Sequence, residues 1–368
     1  MKKILFTATV DSHIINFHLP YLKYFQDKGY EVHVASNGDT QIAYTNVKHN
    51  VPFQRSPYKR ENILAYKELK KIITNNHFDL IHCHTPMGSV ITRLAARKSR
   101  QKETSIFYTA HGFHFFKGAP LKNWLLFYPM EKWLSRYTDC LITINNEDYN
   151  IAKKKFRSKV MLINGVGINL DEFSIQTLEG KNRQRIDKGY NLDDFILIYV
   201  GELSYRKHQD LLIRAVNILK NKIPNIKLLL VGTGEKLEEY KSLSENLDLK
   251  DYVEFLGYRN DINNLMLLSD IAISSSRQEG LPVNIMEAIS TGLPLLVSNC
   301  RGNRDLVING ENGYVFNLKS PDEVALQIIK LHDSQALRKE FYNKNILLRE
   351  QFAIEKIMED MIDLYNCK

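Results

Sequence analysis

The stretch RQEGLPVNIMEAISTGLPLL, residues 277–296, decides the fold of this chain. It follows a strand-like apolar run that ends in serines, DIAISSS, and a Gly–Pro break separates its two acids, Glu279 and Glu287. Pro282 suits the first turn of a helix, where a missing N–H costs nothing, and Gly292 ends that helix. The stretch therefore predicts a strand, a turn and a helix, with one acid at the carboxyl end of the strand and the other inside the helix.

The start of this predicted helix is a candidate anion site, because its first N–H groups, around Leu281–Asn284, have no partner within the helix. Acid, amide donors and acid in series suit a ligand with hydroxyls at both ends and phosphate in the middle, which is the shape of a nucleotide sugar. The alternative is that Glu279 is a solvated loop residue and Glu287 a surface acid of the helix.

Two other strand ends favour the phosphate ligand. LIYVGELSYRKHQDLL places Gly201 at a strand end and the cations Arg206 and Lys207 before a helix, where they can pair with phosphate oxygens. LLLVGTGEKLEE places Gly232 and Gly234 at another strand end, where backbone can approach a ligand closely. Glycines of this kind are more often plain turns, so the two cations carry the argument.

The whole chain alternates strand-like and helical patterns. Apolar runs such as KKILFTA, EVHVAS, DLIHCH and FILIYVGEL alternate with amphipathic ones such as NFHLPYLKYFQDKG, which predicts an α/β protein with parallel sheets. The polar segment IQTLEGKNRQRIDKGYNLDD is a predicted linker. We expect two Rossmann-like doubly wound domains, residues 1–185 and 186–349, facing a ligand cleft at the carboxyl ends of their strands. The amphipathic helix in 350–368 either packs on the second domain or joins the first.

The composition agrees with two domains. With 368 residues, 44% of them hydrophobic, the chain is too long for one ordinary core and too apolar to be disordered. Its four cysteines show no CxxC spacing, which disfavours disulfides and zinc and favours a reducing cytosol. The apolar run ILFTATV is too short for a signal peptide, and no run is long enough to span a membrane. We expect a cytoplasmic protein, with peripheral contact to the inner face of the membrane as the open possibility.

The charge is divided unevenly along the chain. Residues 1–185 hold 28 Lys and Arg against 15 Asp and Glu, whereas the net charge of the whole chain is +8, so the second half is mildly acidic. A basic half suggests an anionic partner, either nucleic acid or a negatively charged membrane. A lysine-rich surface without a partner is the alternative.

Taken together, these motifs resemble the retaining glycosyltransferases of family 4, also described as glycosyl transferases group 1, which have the GT-B fold. In the second half the resemblance rests on VGELSYRKHQDLL, LLLVGTGE, VEFLGYRNDI and the segment from SSSRQEG to NGYVF. In the first half, HCHTPMGS, YTAHGFHFFKGAP, LITINNEDY and INGVGINLDEF resemble the acceptor-side domain of enzymes that build bacterial capsules and exopolysaccharides. The resemblance implies transfer of a sugar from a nucleotide sugar, expected to be a UDP-sugar, to a hydroxyl of a lipid-linked or oligosaccharide acceptor.

The resemblance also implies roles for individual residues. Glu287 would accept hydrogen bonds from the ribose, and Glu279 from the transferred sugar. Lys207, with Arg206, would neutralise the departing diphosphate. His111 matches the histidine that contacts the donor sugar, so it joins Glu279 and Lys207 as an expected catalytic residue. The other expected donor-binding positions are Gly201, Gly232, Gly280, Leu281, Pro282, Val283, and the base-holding turn at Tyr258 and Arg259.

This chain departs from its relatives at two places. Many relatives carry an arginine where this chain has Glu202, so either Arg206 substitutes for it or Glu202 faces away from the diphosphate. The Gly–Gly loop often found after the first strand is also missing. Ser12 and His13 occupy that turn, as residues of the cleft or, in the case of Ser12, as a helix cap.

The same motifs indicate how the departing diphosphate is stabilised. A divalent metal held by carboxylates would be one way, and fixed cations with a helix N-terminus the other. The chain has no DxD spacing of aspartates, so we expect metal-independent transfer and no cofactor. His82 and His84 bracket Cys83, but alternating residues of one strand supply no further ligands. We expect a structural role for His82, a position at the strand end for His84, and no metal.

Two features of the basic half suggest a membrane contact. GFHFFKGAPLKNWLLFYPMEKWLSRY interleaves aromatic and basic residues, as at a membrane interface, although Trp124 and Trp133 are the residues most expected to face a core instead. RLAARKSRQK is the stronger electrostatic candidate. Its cations are Arg93, Arg97, Lys98, Arg100 and Lys102.

Three other functions stay open on sequence alone. A basic membrane-binding or nucleic-acid-binding protein without activity would explain the charge, but nothing resembles a nucleic-acid recognition element and the paired glutamates would have no role, so we expect no nucleic-acid partner. An epimerase of the GT-B fold would act on a UDP-sugar without an acceptor. A phosphorylase of this fold would be much longer.

Overall fold

A computed structural model describes residues 1–99 and 103–366. The chain separates into unit 1, Met1–Ile163 with Asp360–Lys368, and unit 2, Asn164–Glu359. Each unit holds a parallel sheet flanked by helices, which confirms the predicted α/β class with two Rossmann-like domains. None of the described helices combines the length and the apolar character that crossing a membrane requires.

The sheet of unit 1 is entirely parallel. Its described strands are β1 (Lys3–Val10), β2 (Glu31–Asn37), β3 (Val47–Asn50), β4 (Leu80–Cys83), β5 (Ser105–Ala110), β6 (Cys140–Thr143) and β7 (Lys159–Leu162), in the order β3-β2-β1-β4-β5-β6-β7. Ile4, Leu5 and Phe6 of β1 are fully buried, because helices cover both faces of a parallel sheet. The carboxyl ends of β1, β4 and β5 therefore lie side by side at one edge.

The helices of unit 1 follow the predicted pattern with one break. They are α1 (Asp11–Phe17), α2 (Leu19–Asp27), α3 (Glu61–Asn76), α4 (Pro86–Ala96), α5 (Leu121–Leu134) and α6 (Asn146–Lys155). The run predicted as one helix is divided at His18, whose φ of −125° and ψ of −1° are not helical. Pro20, which lacks an N–H, lies in the first turn of α2, so the chain starts a second helix there.

Unit 2 repeats the architecture around six described strands. These are β8 (Phe195–Val200), β9 (Ile226–Val231), β10 (Val253–Gly257), β11 (Ile271–Ser274), β12 (Leu295–Ser298) and β13 (Gly313–Phe316), in the order β10-β9-β8-β11-β12-β13. Its helices are α7 (Leu178–Lys188), α8 (Gln209–Leu219), α9 (Leu237–Asn246), α10 (Ile262–Leu268), α11 (Val283–Thr291), α12 (Asn303–Leu306), α13 (Pro321–Asp333) and α14 (Gln335–Leu348). Fully buried Leu197, Ile213 and Leu228 join β8, α8 and β9 in one core.

The division between the units falls at Ile163/Asn164, ahead of the expected boundary at 185/186. The intervening segment packs on unit 2, where the Gln176 side chain donates hydrogen bonds to the carbonyl oxygens of Leu267 and Ser269 at 2.7 and 2.8 Å. The segment predicted as a linker contains α7. Arg185 of this helix is buried and ion-paired with Asp270 at 2.7 Å, which holds α7 on the domain.

The last helix is α15 (Ile354–Asn366), for which the sequence left open whether it packs on the second domain or joins the first. Its final turns belong to unit 1. Tyr365 is buried there against Phe25 and Phe107, with ring centroids 5.0 and 5.5 Å away, and its hydroxyl lies 2.7 Å from Nδ1 of His82.

Candidate donor-binding site

A buried cluster of charges lies where β8 and β11 end side by side. The Lys207 ammonium, on the loop after β8, lies 2.7 Å from Oε1 of Glu279, on the loop after β11. Arg206 Nη1 lies 3.2 Å from the other carboxylate oxygen, and the Ser276 hydroxyl donates to Oε1 at 2.6 Å. Glu279 is therefore neither solvated nor isolated, so the structure brings together three residues that the sequence predicted as one site.

These partners keep Glu279 ionised. Burial alone would raise the pKa of its carboxyl, but Lys207, Arg206 and Ser276 together hold the pKa below its ordinary value. The carboxylate has two oxygens with several acceptor positions, so an ionised Glu279 can also accept hydrogen bonds from hydroxyl groups of a ligand.

Neighbouring polar groups fix the position of Lys207. The Tyr199 hydroxyl donates to the Lys207 carbonyl at 3.2 Å and lies 2.6 Å from the Ser276 hydroxyl. Ser275 donates to the carbonyls of Lys207 and His208 at 3.0 and 2.8 Å. The serines of the SSS run thus bind the lysine loop to the glutamate loop. Sequence analysis gave them no role, although three serines at the end of a buried strand are the signal.

The glycines at the strand ends allow close backbone approach. A Cβ on Gly232, whose φ is +142°, would lie 2.2 Å from the carbonyl oxygen of Gly201. A Cβ on Gly201 would lie 3.2 Å from Cε of Lys207. A Cβ on Gly302 would in turn lie 2.6 Å from the carbonyl oxygen of Gly280. Side chains there would push apart the loops that carry Lys207 and Glu279.

The departure at Glu202 is only partly compensated. Its side chain is 60% exposed, and its carboxylate lies 3.9 Å from the Arg206 guanidinium. Arg206 also contacts Glu279, so this one cation faces two carboxylates. Arg206 is thus shared between Glu202 and Glu279.

Helix α11 begins one residue later than expected, with Pro282 as its N-cap and Val283 as its first residue. It ends at Gly292, whose φ is +86°, as predicted. Leu281 is buried, whereas Glu287 is half-buried one turn into the helix. Burial, with a contribution from Glu172, raises the pKa of Glu287 to about 7.

The surroundings thus shift the pKa values of these two glutamates in opposite directions. Glu279 has cations at hydrogen-bonding distance, and Glu287 is disfavoured as an anion.

The turn expected to hold the base has one exposed side chain and one that is ion-paired. Tyr258 is 78% exposed, and the Arg259 guanidinium is ion-paired with Asp261 at 2.7 Å. Lys188 of α7 also contacts Asp261 at 2.6 Å. Tyr258 is thus accessible to a ligand, whereas the Arg259 guanidinium already has a carboxylate partner. Arg301, which sequence analysis did not single out, donates to the carbonyl of Glu279 at 3.0 Å and supports that loop.

In unit 1, His111 follows β5 and meets three other histidines. Its ring lies 4.9 Å from that of His13 and 5.9 Å from that of His84, between centroids. His84 is buried at the end of β4, as expected, and His82 has a structural role through Tyr365 and Thr109. His13 lies in this cluster, at the turn where the Gly–Gly loop is missing, and Ser12 makes no N-terminal cap of α1.

The membrane candidates of unit 1 divide into buried and exposed groups. Arg93 is buried, with its guanidinium 2.8 Å from Glu131 and 4.1 Å above the ring of Tyr108, so the prediction of an electrostatic surface is wrong for this residue. Arg97 and Lys98 are exposed, while Arg100 and Lys102 lie outside the described residues.

Helix α5 has an exposed apolar face. Leu121 and Leu125 are 71% and 70% exposed, and Leu126 and Trp133 are 50% and 40% exposed. Trp124 is half-buried instead, with its ring 5.5 Å from that of Phe115.

Comparison with known proteins identifies the class. The chain matches two protein families, described as Glycosyl transferases group 1 over residues 180–347 and Glycosyl transferase 4-like over residues 3–145. EpsD of Bacillus subtilis (strain 168), a glycosyltransferase by its name, is 43% identical over 367 residues, which cover 99% of this chain and 96% of EpsD.

One further relative supports this class, and one solved structure shows the same fold. The UDP-Gal:alpha-D-GlcNAc-diphosphoundecaprenol alpha-1,3-galactosyltransferase of Escherichia coli is 29% identical over 315 residues, covering 83% of this chain and 81% of that enzyme. The solved structure of Anabaena Alr3699/HepE in complex with UDP-glucose has a TM-score of 0.80 at 19% identity and covers 100% of both chains.

The fold and the matches define a glycosyltransferase with the GT-B fold. The chain belongs to the glycosyl transferases group 1 family, which confirms the resemblance and the enzyme class predicted from the sequence.

Proposed function

We propose that this protein is a retaining, metal-independent glycosyltransferase that moves a sugar from a UDP-sugar to a hydroxyl of a lipid-linked saccharide during polysaccharide biosynthesis. The observation that carries the proposal is the buried contact of Glu279 with Lys207 and Arg206 at the ends of β8 and β11. The names of the relatives support the substrates, because one uses a UDP-sugar and a diphosphoundecaprenol-linked acceptor and another binds UDP-glucose.

The charges of the site suit a departing diphosphate. When the bond between the anomeric carbon and the diphosphate breaks, negative charge grows on the phosphate oxygens, and Lys207 and Arg206 are fixed cations that stabilise it. The first N–H groups of α11, around Val283, add donors for the same anion. With cations in place and no DxD spacing in the sequence, the proposed reaction uses no metal on the diphosphate.

Glu279 orients sugar hydroxyls in this scheme and is not a nucleophile. A carboxylate held by an ammonium, a guanidinium and a hydroxyl is poorly placed to attack carbon, but it can accept hydrogen bonds from sugar hydroxyls. Retention then requires the acceptor hydroxyl to attack from the side of the leaving group. Its oxygen forms the new bond to the anomeric carbon, and its proton passes to a phosphate oxygen of the departing UDP.

Two roles stay predictions from the resemblance. Glu287 is proposed to accept hydrogen bonds from the ribose, and His111 to contact the donor sugar. For the acceptor side, we propose that the exposed apolar face of α5, together with Lys122 and Lys132, contacts an anionic membrane that holds the lipid-linked acceptor.

The test uses Glu279→Gln with Glu238→Gln as the matched control, since the Glu238 side chain is 83% exposed and pairs only at the surface with Lys241. Purified proteins are incubated with UDP-sugars or GDP-sugars and a polyprenyl-diphosphate-linked saccharide, and products are identified by mass spectrometry, with anomeric configuration from NMR.

We expect an α-linked product from a UDP-sugar in the presence of EDTA, loss of at least about 100-fold in rate for Glu279→Gln, and UDP binding retained in both variants. Full activity of Glu279→Gln, an inverted product, or sugar conversion without acceptor, as an epimerase would give, contradicts the proposal.

A further inference from the structure

The structure assigns a metal site to unit 1: we propose that His13, His18, His84 and His111 bind one divalent transition-metal ion of the zinc class. One nitrogen from each of the four side chains lies within 4.8 Å of the other three. The ring centroids of His18 and His84 are only 3.8 Å apart, and those of His13 and His18 are 5.1 Å apart. The four histidines belong to unit 1, whereas Lys207 and Glu279 belong to unit 2.

The strongest support is the absence of other partners for these rings. His18 and His84 are 4% and 1% exposed, and neither nitrogen of either ring has a hydrogen-bond partner among the described residues. Nε2 of His13 and Nε2 of His111 are buried without a partner in the same described range. Leaving a buried polar atom without a partner costs about 1–3 kcal/mol, so four such rings in one place point to a ligand that all of them share.

His82 is a buried histidine outside the cluster with which the four clustered histidines can be compared. It is as buried as His84, two residues away, yet its Nδ1 lies 2.7 Å from the Tyr365 hydroxyl and its Nε2 2.8 Å from the Thr109 hydroxyl. The same region of the fold therefore supplies hydrogen bonds where a histidine is structural. The four clustered rings differ in having their nitrogens directed at one another.

The chemistry of the four groups selects the ion. Burial lowers the pKa of all four imidazoles, so they are neutral at physiological pH, which is the ligating form. Neutral imidazole suits zinc, copper and nickel. Four ligands without an open position match the closed tetrahedral coordination of a structural zinc, although structural zinc sites more often include cysteine. Zinc–nitrogen bonds of about 2.1 Å separate the nitrogens by about 3.4 Å, so each ring would move inward by under about 1 Å.

The backbone explains why the histidines meet. His13 lies in α1, and His18 is the residue between α1 and α2. His84 follows β4, and His111 follows β5. The carboxyl ends of β1, β4 and β5 are adjacent in the sheet, so a bound ion would join the three chain segments that follow these strands. Such an ion is structural and takes no part in the diphosphate chemistry proposed above. Ligation through Nε2 of His111, the buried ring nitrogen without a partner, leaves Nδ1 for the proposed contact to the donor sugar.

The experiment measures metal binding to the full-length, tag-free protein without donor or acceptor, so its outcome does not depend on the proposed transfer reaction. Zn²⁺ affinity and stoichiometry are measured by competition with a chromophoric chelator. The variants are His18→Asn and His84→Asn, with His77→Asn as the control. His77 is exposed, outside the cluster and in a left-handed conformation with φ of +49°, which asparagine tolerates.

We expect one tight Zn²⁺ per chain in the wild type and in His77→Asn. Removing a direct ligand is expected to weaken binding by more than the roughly 10–100-fold that loss of an outer-shell partner costs. Circular dichroism of the metal-free variants reports whether they fold. Should they not fold, Co²⁺ added to the wild type decides, because tetrahedral nitrogen coordination gives visible absorption bands. No stoichiometric Zn²⁺ or Co²⁺ in the wild type, or a tight site that survives in both cluster variants, overturns the proposal.

Discussion

Lys207 and Glu279 form a buried ion pair, with Nζ 2.7 Å from Oε1, although 72 residues separate them in the chain. Each comes from a loop at the end of a neighbouring strand, so the pair fixes the two loops relative to each other. A buried pair of this kind adds little net stability compared with apolar residues, but losing one partner leaves a costly charge.

Replacing Lys207 by alanine is expected to destabilise the protein by about 3 kcal/mol, because Glu279 would keep only Arg206 and Ser276 as partners. Since the pKa of Glu279 is lowered in the fold, its ionisation contributes stability above the ordinary value of 4.5, and this contribution is lost as the pH falls through the folded value. The difference in free energy of unfolding between wild type and Lys207→Ala, measured with urea, should therefore be smaller at acid pH than at neutral pH. Lys241→Ala, at an exposed pair, is the control. An equal loss in both variants would show that the pair is not the cause.

Nucleotide binding is expected to depend on the protonation of Glu287. Its pKa is raised to about 7, and a carboxyl that accepts hydrogen bonds from the ribose binds it more strongly when ionised. UDP affinity should fall as the pH drops below about 7, by up to about tenfold per pH unit. Calorimetry of UDP binding across this range measures it, and Glu287→Gln separates this proton from the titration of the phosphate itself. The same pH dependence of UDP affinity in wild type and Glu287→Gln would contradict the proposed contact of Glu287 with the ribose.

The same raised pKa predicts an effect on stability with a definite sign. Ionising Glu287 costs the folded state stability as the pH rises from the ordinary value of 4.5 through about 7. Glu287→Gln should therefore gain stability over the wild type above about pH 7 and show little difference in acid. Thermal unfolding at both ends of this window measures the gain, and a gain that is independent of pH would contradict the assignment.

Comparing Gly232→Ala with Gly189→Ala should separate the cost of a steric clash from the cost of backbone strain. Gly232 and Gly189 both have positive φ, +142° and +78°, but a Cβ would clash only at Gly232, whereas nothing lies within 4 Å of one at Gly189. We expect about 1 kcal/mol of destabilisation for Gly189→Ala and about 3 kcal/mol for Gly232→Ala, with weaker UDP binding. Similar values for both, measured by urea unfolding, would mean that the close approach to Gly201 is easily relieved.

The membrane proposal predicts that Leu125→Glu lowers binding to vesicles. Leu125 is 70% exposed on α5, and a glutamate there would add a charge to the apolar face and repel anionic lipid. Leu347→Glu is the control, since Leu347 is 79% exposed in unit 2. Sedimentation with anionic and neutral vesicles at low salt measures the effect. Equal binding of both vesicle types by the wild type, or equal loss in both variants, would contradict the proposal.

Most of the fold was predictable because its signals are local. The apolar runs of β1, β8 and β11 and the Gly292 helix end follow from side-chain pattern and backbone preference. The strand β3 was missed because Val47–Asn50 is polar and only half-buried, as an edge strand can be. The helix α7 was taken for a linker because its residues are polar, and what holds it on unit 2 is the distant Asp270.

The site was predictable in part for the same reason. The spacing of Glu279 from Glu287 and the adjacency of Arg206 and Lys207 are local, and the parallel sheet brings Glu279, Arg206 and Lys207 together. The opposite electrostatics of the two glutamates were not predictable, since burial and distant partners set them. The histidine cluster was not predictable either. It depends on the helix break at His18 and on the order of the strands in the sheet. Sequence analysis therefore considered His84 only together with its neighbour His82.

The bond between Tyr365 and His82 has a consequence for synthesis of the protein. The two residues are 283 positions apart, and Tyr365 fills part of the core beside Phe25 and Phe107. During translation, unit 2 in its entirety leaves the ribosome before Tyr365 does. Most of unit 1 is thus made first, but its fold is completed last. Until Tyr365 is made, the apolar surface that it covers stays exposed and can be bound by a chaperone.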